Sequence, residues 1–284
     1  MVFDIIGTLV DENGTVRAAS ERALQASGHD IAVAPTLADD WVQRLDDRIA
    51  EISSGWRPWR PYDQLSRETL QHTLDKHGIR LPEKVFGWLA LVGHRLVPWP
   101  DAARQLSDLA KVRPVFGLTN AGLAQVAEMS FYGGLRWHAI LSTERVRTFK
   151  PNPATYKLAI EELQLHPKQT LFVAAHPWDL TAAKRQQLRT AYLPRPHADP
   201  PGPYDTIDMT LRTLDDLLPL LNTPRTPPEQ PHPKLANFPE RGVARVHQPA
   251  KNSRPYLSDR STTVAVRYTP VNRPMVDTVL RSGG

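Results

Sequence analysis

The 284-residue chain contains no cysteine, which excludes disulfides, zinc–thiolate sites and a thiol nucleophile. It has no apolar run of the roughly 18 residues needed to cross a membrane and no signal-like N-terminus, so a soluble, unexported, cytoplasmic protein without membrane partners is expected. Excess positive charge is also missing from most of the chain. Of 35 Lys+Arg and 30 Asp+Glu, ten and four lie from Asn222 onward, leaving 25 against 26 in residues 1–221. The basic balance therefore belongs to a C-terminal stretch, 222–284, that is rich in proline and lacks apolar periodicity, and a disordered tail is expected there. A basic tail could touch an anionic surface. With few aromatics and no dense Lys/Arg run, it does not make nucleic acid an expected partner.

What is present begins at the first residue. Met1-Val-Phe-Asp-Ile-Ile-Gly-Thr-Leu-Val-Asp11 reads as a short buried strand delivering Asp4 to a Gly-Thr turn, the place where open α/β sheets build their sites. Asp4 is a candidate nucleophile, although an Asp before Gly-Thr also makes turns. Only Met1, Val2 and Phe3 precede it, so the first strand is expected to be short, or the start misassigned. A second apolar run, Val115 to Leu118, ends in Thr119-Asn120 before a helical pattern over 123–129; Asn120 fits a helix N-cap as well as a ligand. Thr148-Phe-Lys-Pro-Asn-Pro-Ala-Thr-Tyr156 places Lys150 in a turn ahead of a helix starting near Ala154, where a lone lysine is usually solvated. A third apolar run, Leu171 to Ala175, ends at His176 and brings Asp179 to the start of a helix over 179–187, where it would also serve as a cap.

Between Gly14 and Pro98 the apolar spacing predicts helices over 16–27, 37–53, 62–77 and 82–95. Trp41, Trp56, Trp59, Tyr62 and Trp88 would roof an apolar pocket or fill the core of this helical region. From Trp99 to Leu221, strand and helix patterns alternate as in parallel α/β units.

In order and spacing, these signals resemble the haloacid dehalogenase superfamily over about residues 1–220, and Phe149-Lys-Pro-x-x-x-x-Tyr156 with Val173-Ala-Ala-His-Pro-Trp-Asp179 looks most like its type II 2-haloacid dehalogenase branch. The resemblance implies an α/β fold: a parallel-sheet Rossmann-like core in 1–14 and 98–221, with a helical cap inserted over 15–97. It implies a hydrolase that releases halide from a small 2-haloacid through an aspartyl ester on Asp4. Thr8, Thr119 and Lys150 would hold the substrate carboxylate and stabilise the charge on Asp4. Asn120 would cradle the halide, Asp179 would orient Lys150 and the water, and Trp41 and Tyr156 would contact substrate. His176 would act as a donor to the ester carbonyl or as a base for water, or simply bond backbone. A small carboxylic acid is the implied partner, and a homodimer is compatible with the fold.

The resemblance has gaps. Ile6 stands where that branch commonly has Tyr or Asn, Val42 where an arginine follows the cap tryptophan, and Ala174-Ala175-His176 where it has Ser-x-Asn. Arg44, Arg48, Arg57 and Arg60 are the nearby cap arginines. Phosphatases of the same fold, the main rivals, carry a second aspartate at the position of Ile6 and acidic magnesium ligands near Ala174-Ala175. Hard oxygen ligands are depleted here, so neither a metal nor another cofactor is expected. A non-catalytic binding protein on the same scaffold is the third reading.

Overall fold

The first strand, β1 (Val2–Phe3), is two residues long and wholly buried, and the whole sheet forms around it. The computed structural model describes residues 1–222; the tail expected to be disordered lies, apart from Asn222, outside the described residues. After β1 come β2 (Val10–Asp11), α1 (Glu12–Ala26), α2 (Ala34–Ser53), α3 (Tyr62–Lys76), α4 (Glu83–Ala90) and β3 (Val97–Pro98). Helix and strand then alternate: α5 (Ala102–Val112), β4 (Phe116–Thr119), α6 (Leu123–Gly133), β5 (Ala139–Ser142), α7 (Pro153–Glu162), β6 (Leu171–Ala174), α8 (Pro177–Arg185), β7 (Arg189–Tyr192), β8 (Met209–Thr210) and α9 (Leu217–Asn222).

Six strands form one parallel sheet in the order β5-β4-β1-β6-β7-β8. Val2 lies opposite Phe116 on one side and Phe172 on the other. Strands covered on both faces can be apolar throughout, which is why these runs lack polar alternation. Phe3, Ile5, Leu106, Met129 and Val173 pack on one face; Val2, Leu118, Tyr156, Phe172 and Leu180 pack on the other. Because β1, β4 and β6 are parallel neighbours, their carboxyl ends bring Asp4, Thr119-Asn120 and Ala175-His176 to one edge.

The short antiparallel pair β2–β3 closes the neck from which α1 to α4 project. Asp11 caps α1 by accepting from Gly14 N at 2.9 Å. The fourth predicted helix is shorter than its pattern: α4 ends at Ala90 and a 3-10 turn follows over Val92–Arg95. Tertiary contacts accompany that turn. The buried ring of His94 meets Asp63 of α3 at 3.0 Å and Glu128 of α6 at 3.3 Å, linking the helical region to the sheet's flanking helix. Core and helical region also meet where Phe149 packs among Leu45, Ile49, Ile52, Tyr62 and Leu65, and where Asn152 Nδ2 donates to Ser53 O at 2.9 Å. Among the described residues no helix is long and apolar enough to cross a membrane.

Candidate active site

Asp4 directly follows β1, and its N–H bonds Val173 O at 3.0 Å, which locks its backbone between two strands. Its side chain is buried with both oxygens engaged: Oδ1 accepts from Lys150 Nζ at 2.5 Å, and Oδ2 accepts from the Thr8 hydroxyl at 2.6 Å. Thr8 Oγ1 accepts from Ala175 N at 2.8 Å, so its single proton is free to point at Asp4. Lys150 Nζ also donates to Asp179 Oδ2 at 2.6 Å, and Tyr156 OH donates to Asp179 Oδ1 at 2.5 Å. Lys150 is 2% exposed and Asp179 0%. An ammonium this deeply buried persists only with charged partners. Burial alone would draw Lys150 down, but Asp179 and Asp4 outweigh it and hold the ammonium above the ordinary lysine value. Burial pushes Asp179 above the usual carboxylate range, against the pull of Lys150. Tyr156 rises well above its ordinary value through burial and the adjacent Asp179.

Asn120 is not a helix cap: Gly122 occupies that position in α6. Its Oδ1 instead accepts from Lys150 N at 2.8 Å and from Thr143 Oγ1 at 3.3 Å, tying the lysine turn to β4. Thr119 Oγ1 accepts from Ala121 N at 3.1 Å. Asn152 and Pro153 start α7 right behind the lysine, Asn152 accepting from Ala154 N at 3.1 Å.

A cavity of about 400 Å³ opens over Asp4, lined by Thr119, Asn120, Lys150, Pro151 and His176 from the core side and by helical-region residues including Ile49 and Tyr62. His176 Nε2 lies 3.1 Å from Ile6 O and 3.7 Å from Asp4 Oδ2. A carbonyl can only accept, so Nε2 carries the proton. The ring stacks on Trp178 at 5.5 Å and lies so close over Gly7 that a Cβ there would come within 2.6 Å of Nε2. Gly7 also has φ +77°, so this turn needs glycine twice over.

Several expected roles change with these positions. Trp41 lies outside the cavity: it is buried within the helical region, where Nε1 donates to Ser66 O at 3.0 Å. Tyr156 sits behind Asp179 and not against the cavity, and Thr8, also fully buried, serves Asp4 and not a ligand. Asp179 caps nothing, because its carboxylate turns inward to Lys150. Of the aromatics expected to roof the pocket, only Tyr62 lines it, and Trp56 is 87% exposed. None of the four cap arginines lines this cavity; Arg48 and Arg57 bind Glu51 at 2.5 Å.

Glu12, Asp46, Ile49, Ala50, Pro151 and Trp178 also line the cavity and were not singled out from the sequence. Asp46, Ile49 and Ala50 stand at helical i, i+3, i+4 spacing on α2, which marks one face. Spacing alone cannot say what that face looks toward. Burial pushes Glu12 up to about 8, with Asp46 the next cause, and Tyr62 OH donates to Glu12 Oε1 at 3.3 Å.

Residues 1–186 match the family model described as haloacid dehalogenase-like hydrolase. Among characterised proteins, an (S)-2-haloacid dehalogenase of Xanthobacter autotrophicus is 31% identical over 200 residues, spanning 69% of this chain and 74% of the relative. Among solved structures, a defluorinating L-2-haloacid dehalogenase aligns at TM-score 0.72 and 28% identity, over 78% of this chain and 93% of its own. Another L-2-haloacid dehalogenase aligns at TM-score 0.71 and 27% identity, over 78% and 97%.

Proposed function

Because the chain belongs to the haloacid dehalogenase-like hydrolases, we propose that it releases halide from a 2-haloacid through an ester on Asp4. The observation that carries this reading is the nucleophile's setting: a carboxylate at a strand end, held by Lys150 and Thr8, on the floor of a cavity. In the proposed reaction an Asp4 oxygen attacks the halogen-bearing carbon from behind. The C–O bond forms as the carbon–halogen bond breaks, and halide leaves with the bonding pair. Water then attacks the Asp4 carbonyl carbon; one of its protons ends on the departing substrate oxygen, which leaves as the hydroxy acid, and the other is released to solvent as the Asp4 carboxylate is restored. Lys150 keeps Asp4 in place and offers the substrate carboxylate its remaining N–H; Thr119 and Asn120 line the same side. Asp179 and Tyr156 hold Lys150 from behind, and α1 to α4 form the cap.

The relatives named above carry the haloacid substrate in their names, and the site chemistry here is compatible with it. A phosphatase of this fold would need magnesium at Asp4 and an acidic set nearby. Here the Lys150 ammonium already bridges Asp4 and Asp179. Among the described residues no group of three His, Cys, Asp or Glu side chains is arranged to hold a metal ion. The residues do not fit a magnesium site. Halide release from 2-chloro- and 2-bromopropionate should therefore proceed at an unchanged rate after exhaustive chelation. Loss with EDTA, regained with Mg²⁺ together with phosphate release from an aryl phosphate, would move the protein to the phosphatases.

His176 is proposed as the donor that polarises the Asp4 ester, since its Nε2–H, now 3.1 Å from Ile6 O, lies 3.7 Å from Asp4 Oδ2. His176→Asn keeps an N–H donor and should lose less than about tenfold in turnover, whereas His176→Leu should accumulate ester on Asp4, visible as added mass in the intact protein. Equal ester accumulation in both variants would make His176 the base for water instead.

A further inference from the structure

The cavity's charge is odd for a site that receives an anion. Its lining includes the carboxyl side chains of Asp4, Glu12 and Asp46, while its single Lys or Arg, Lys150, is already committed to Asp4 and Asp179. Asp46 stands solvent-exposed on α2, where water favours its ionised form. Glu12, at the start of α1, lies within its field. The other facing groups are His176, which feels Asp46, and the hydroxyl of Tyr62. A two- or three-carbon haloacid, its carboxylate beside Lys150, would leave most of a 400 Å³ space unfilled and the Asp46 side of the cavity without a partner.

We infer that the preferred substrate is a 2-haloacid whose side chain ends in a cationic group, received by Glu12 and Asp46 on the helical wall while the carboxylate end lies by Lys150. The inference rests on the proposed reaction at Asp4 and names the substrate class within it. Three features of the lining support it. Ile6, Ile49 and Ala50 give methylenes an apolar passage between the two ends; Tyr62 and Trp178 offer aromatic surface that favours an ammonium over an anion. Tyr62, 5% exposed and edge-on to Phe149 at 6.5 Å, fixes the Glu12 carboxyl by donating to it. Glu12, pushed up to about 8 and so largely protonated at neutral pH, would be drawn down toward its ionised form by a cation beside it.

The test compares two 2-bromoalkanoates of equal shape, one ending in a trimethylammonium group and the other in a tert-butyl group, with 2-bromopropionate as reference. The full chain should turn over the ammonium compound with kcat/KM about tenfold above the tert-butyl one, or ~1.4 kcal/mol. The ratio should shrink as salt rises. It should fall toward one in Glu12→Gln/Asp46→Asn and part of the way in Asp46→Asn alone, a change at an exposed residue that leaves folding intact. A ratio of one in the unaltered chain, with bromide released from both compounds, would overturn the inference and leave the Asp4 reaction standing. A retained tenfold ratio in the double variant would overturn it too. If no bromide is released from any of the three and no ester forms on Asp4, the reaction assignment itself fails.

Discussion

Asp4→Asn is expected to lower halide release by roughly a thousandfold or more, the scale on which loss of a covalent nucleophile acts, while the chain stays folded. The substitution is nearly isosteric, so it opens no cavity, and Lys150 keeps one carboxylate partner in Asp179 at 2.6 Å. The Asn side chain still accepts a hydrogen bond from Thr8 or Lys150, but an amide is a poor nucleophile toward carbon. A complementary experiment follows the oxygen. In a single turnover in ¹⁸O-labelled water, label should enter Asp4, because water attacks the enzyme's carbonyl and the product keeps the oxygen that Asp4 supplied. Later turnovers should then pass label to the hydroxy acid. Label in the product on the first turnover would mean that water attacks the substrate directly, with Asp4 as its base.

The second large effect is on stability. Lys150→Met should cost about 3–5 kcal/mol and abolish turnover, because the lysine is buried between two carboxylates, Asp4 and Asp179, at 2.5 and 2.6 Å. Methionine fills similar volume, so the loss is electrostatic and not a packing defect. Without the ammonium's pull, burial and the neighbouring Asp4 hold the Asp179 carboxyl further above its value in the unfolded chain, about 3.9 for Asp. A raised folded value means that stability is fully present below the unfolded pKa and is lost as pH climbs through the folded one. Denaturant midpoints of the variant should therefore rise on acidification, closing part of its gap to the original chain near pH 4. Adding Asp179→Asn should recover part of the loss at neutral pH by removing one of the two stranded charges. A Lys150→Met variant as stable as the parent at every pH would sink the view that Asp4, Lys150 and Asp179 form a mutually dependent set of charges.

How much of this was legible beforehand differs from residue to residue. The motif order along the chain picked out Asp4, Thr119, Asn120, Lys150 and Asp179 as candidates, since each stands after an apolar run or ahead of a helix, while the resemblance and not local pattern supplied the roles expected of them. It also anticipated a parallel sheet and a helical region between β1 and the rest. Trp41 went the other way. Its resemblance-based role failed because a tryptophan on an amphipathic helix has the same sequence signature whether it faces a ligand or the helix's own core.

By itself, the sequence determined the strand-end carboxylate and the absence of thiol chemistry, because those depend on which residue types are present and on neighbours within a few positions; the pairing of Asp4 with Lys150, 146 positions on, was only implied by the resemblance. Only the tertiary structure decided which way side chains look. It turned Asp179 inward to Lys150 and away from a cap, and it made Asn120 a clamp on the Lys150 backbone 30 residues away. It set Glu12 against Tyr62, 50 residues on, and brought Asp46 to the same wall from a second helix. The physical reason is that helical and strand periods specify faces, whereas the facing partner of each face depends on packing between segments far apart in the chain, and a pocket's charge is the sum over all of them.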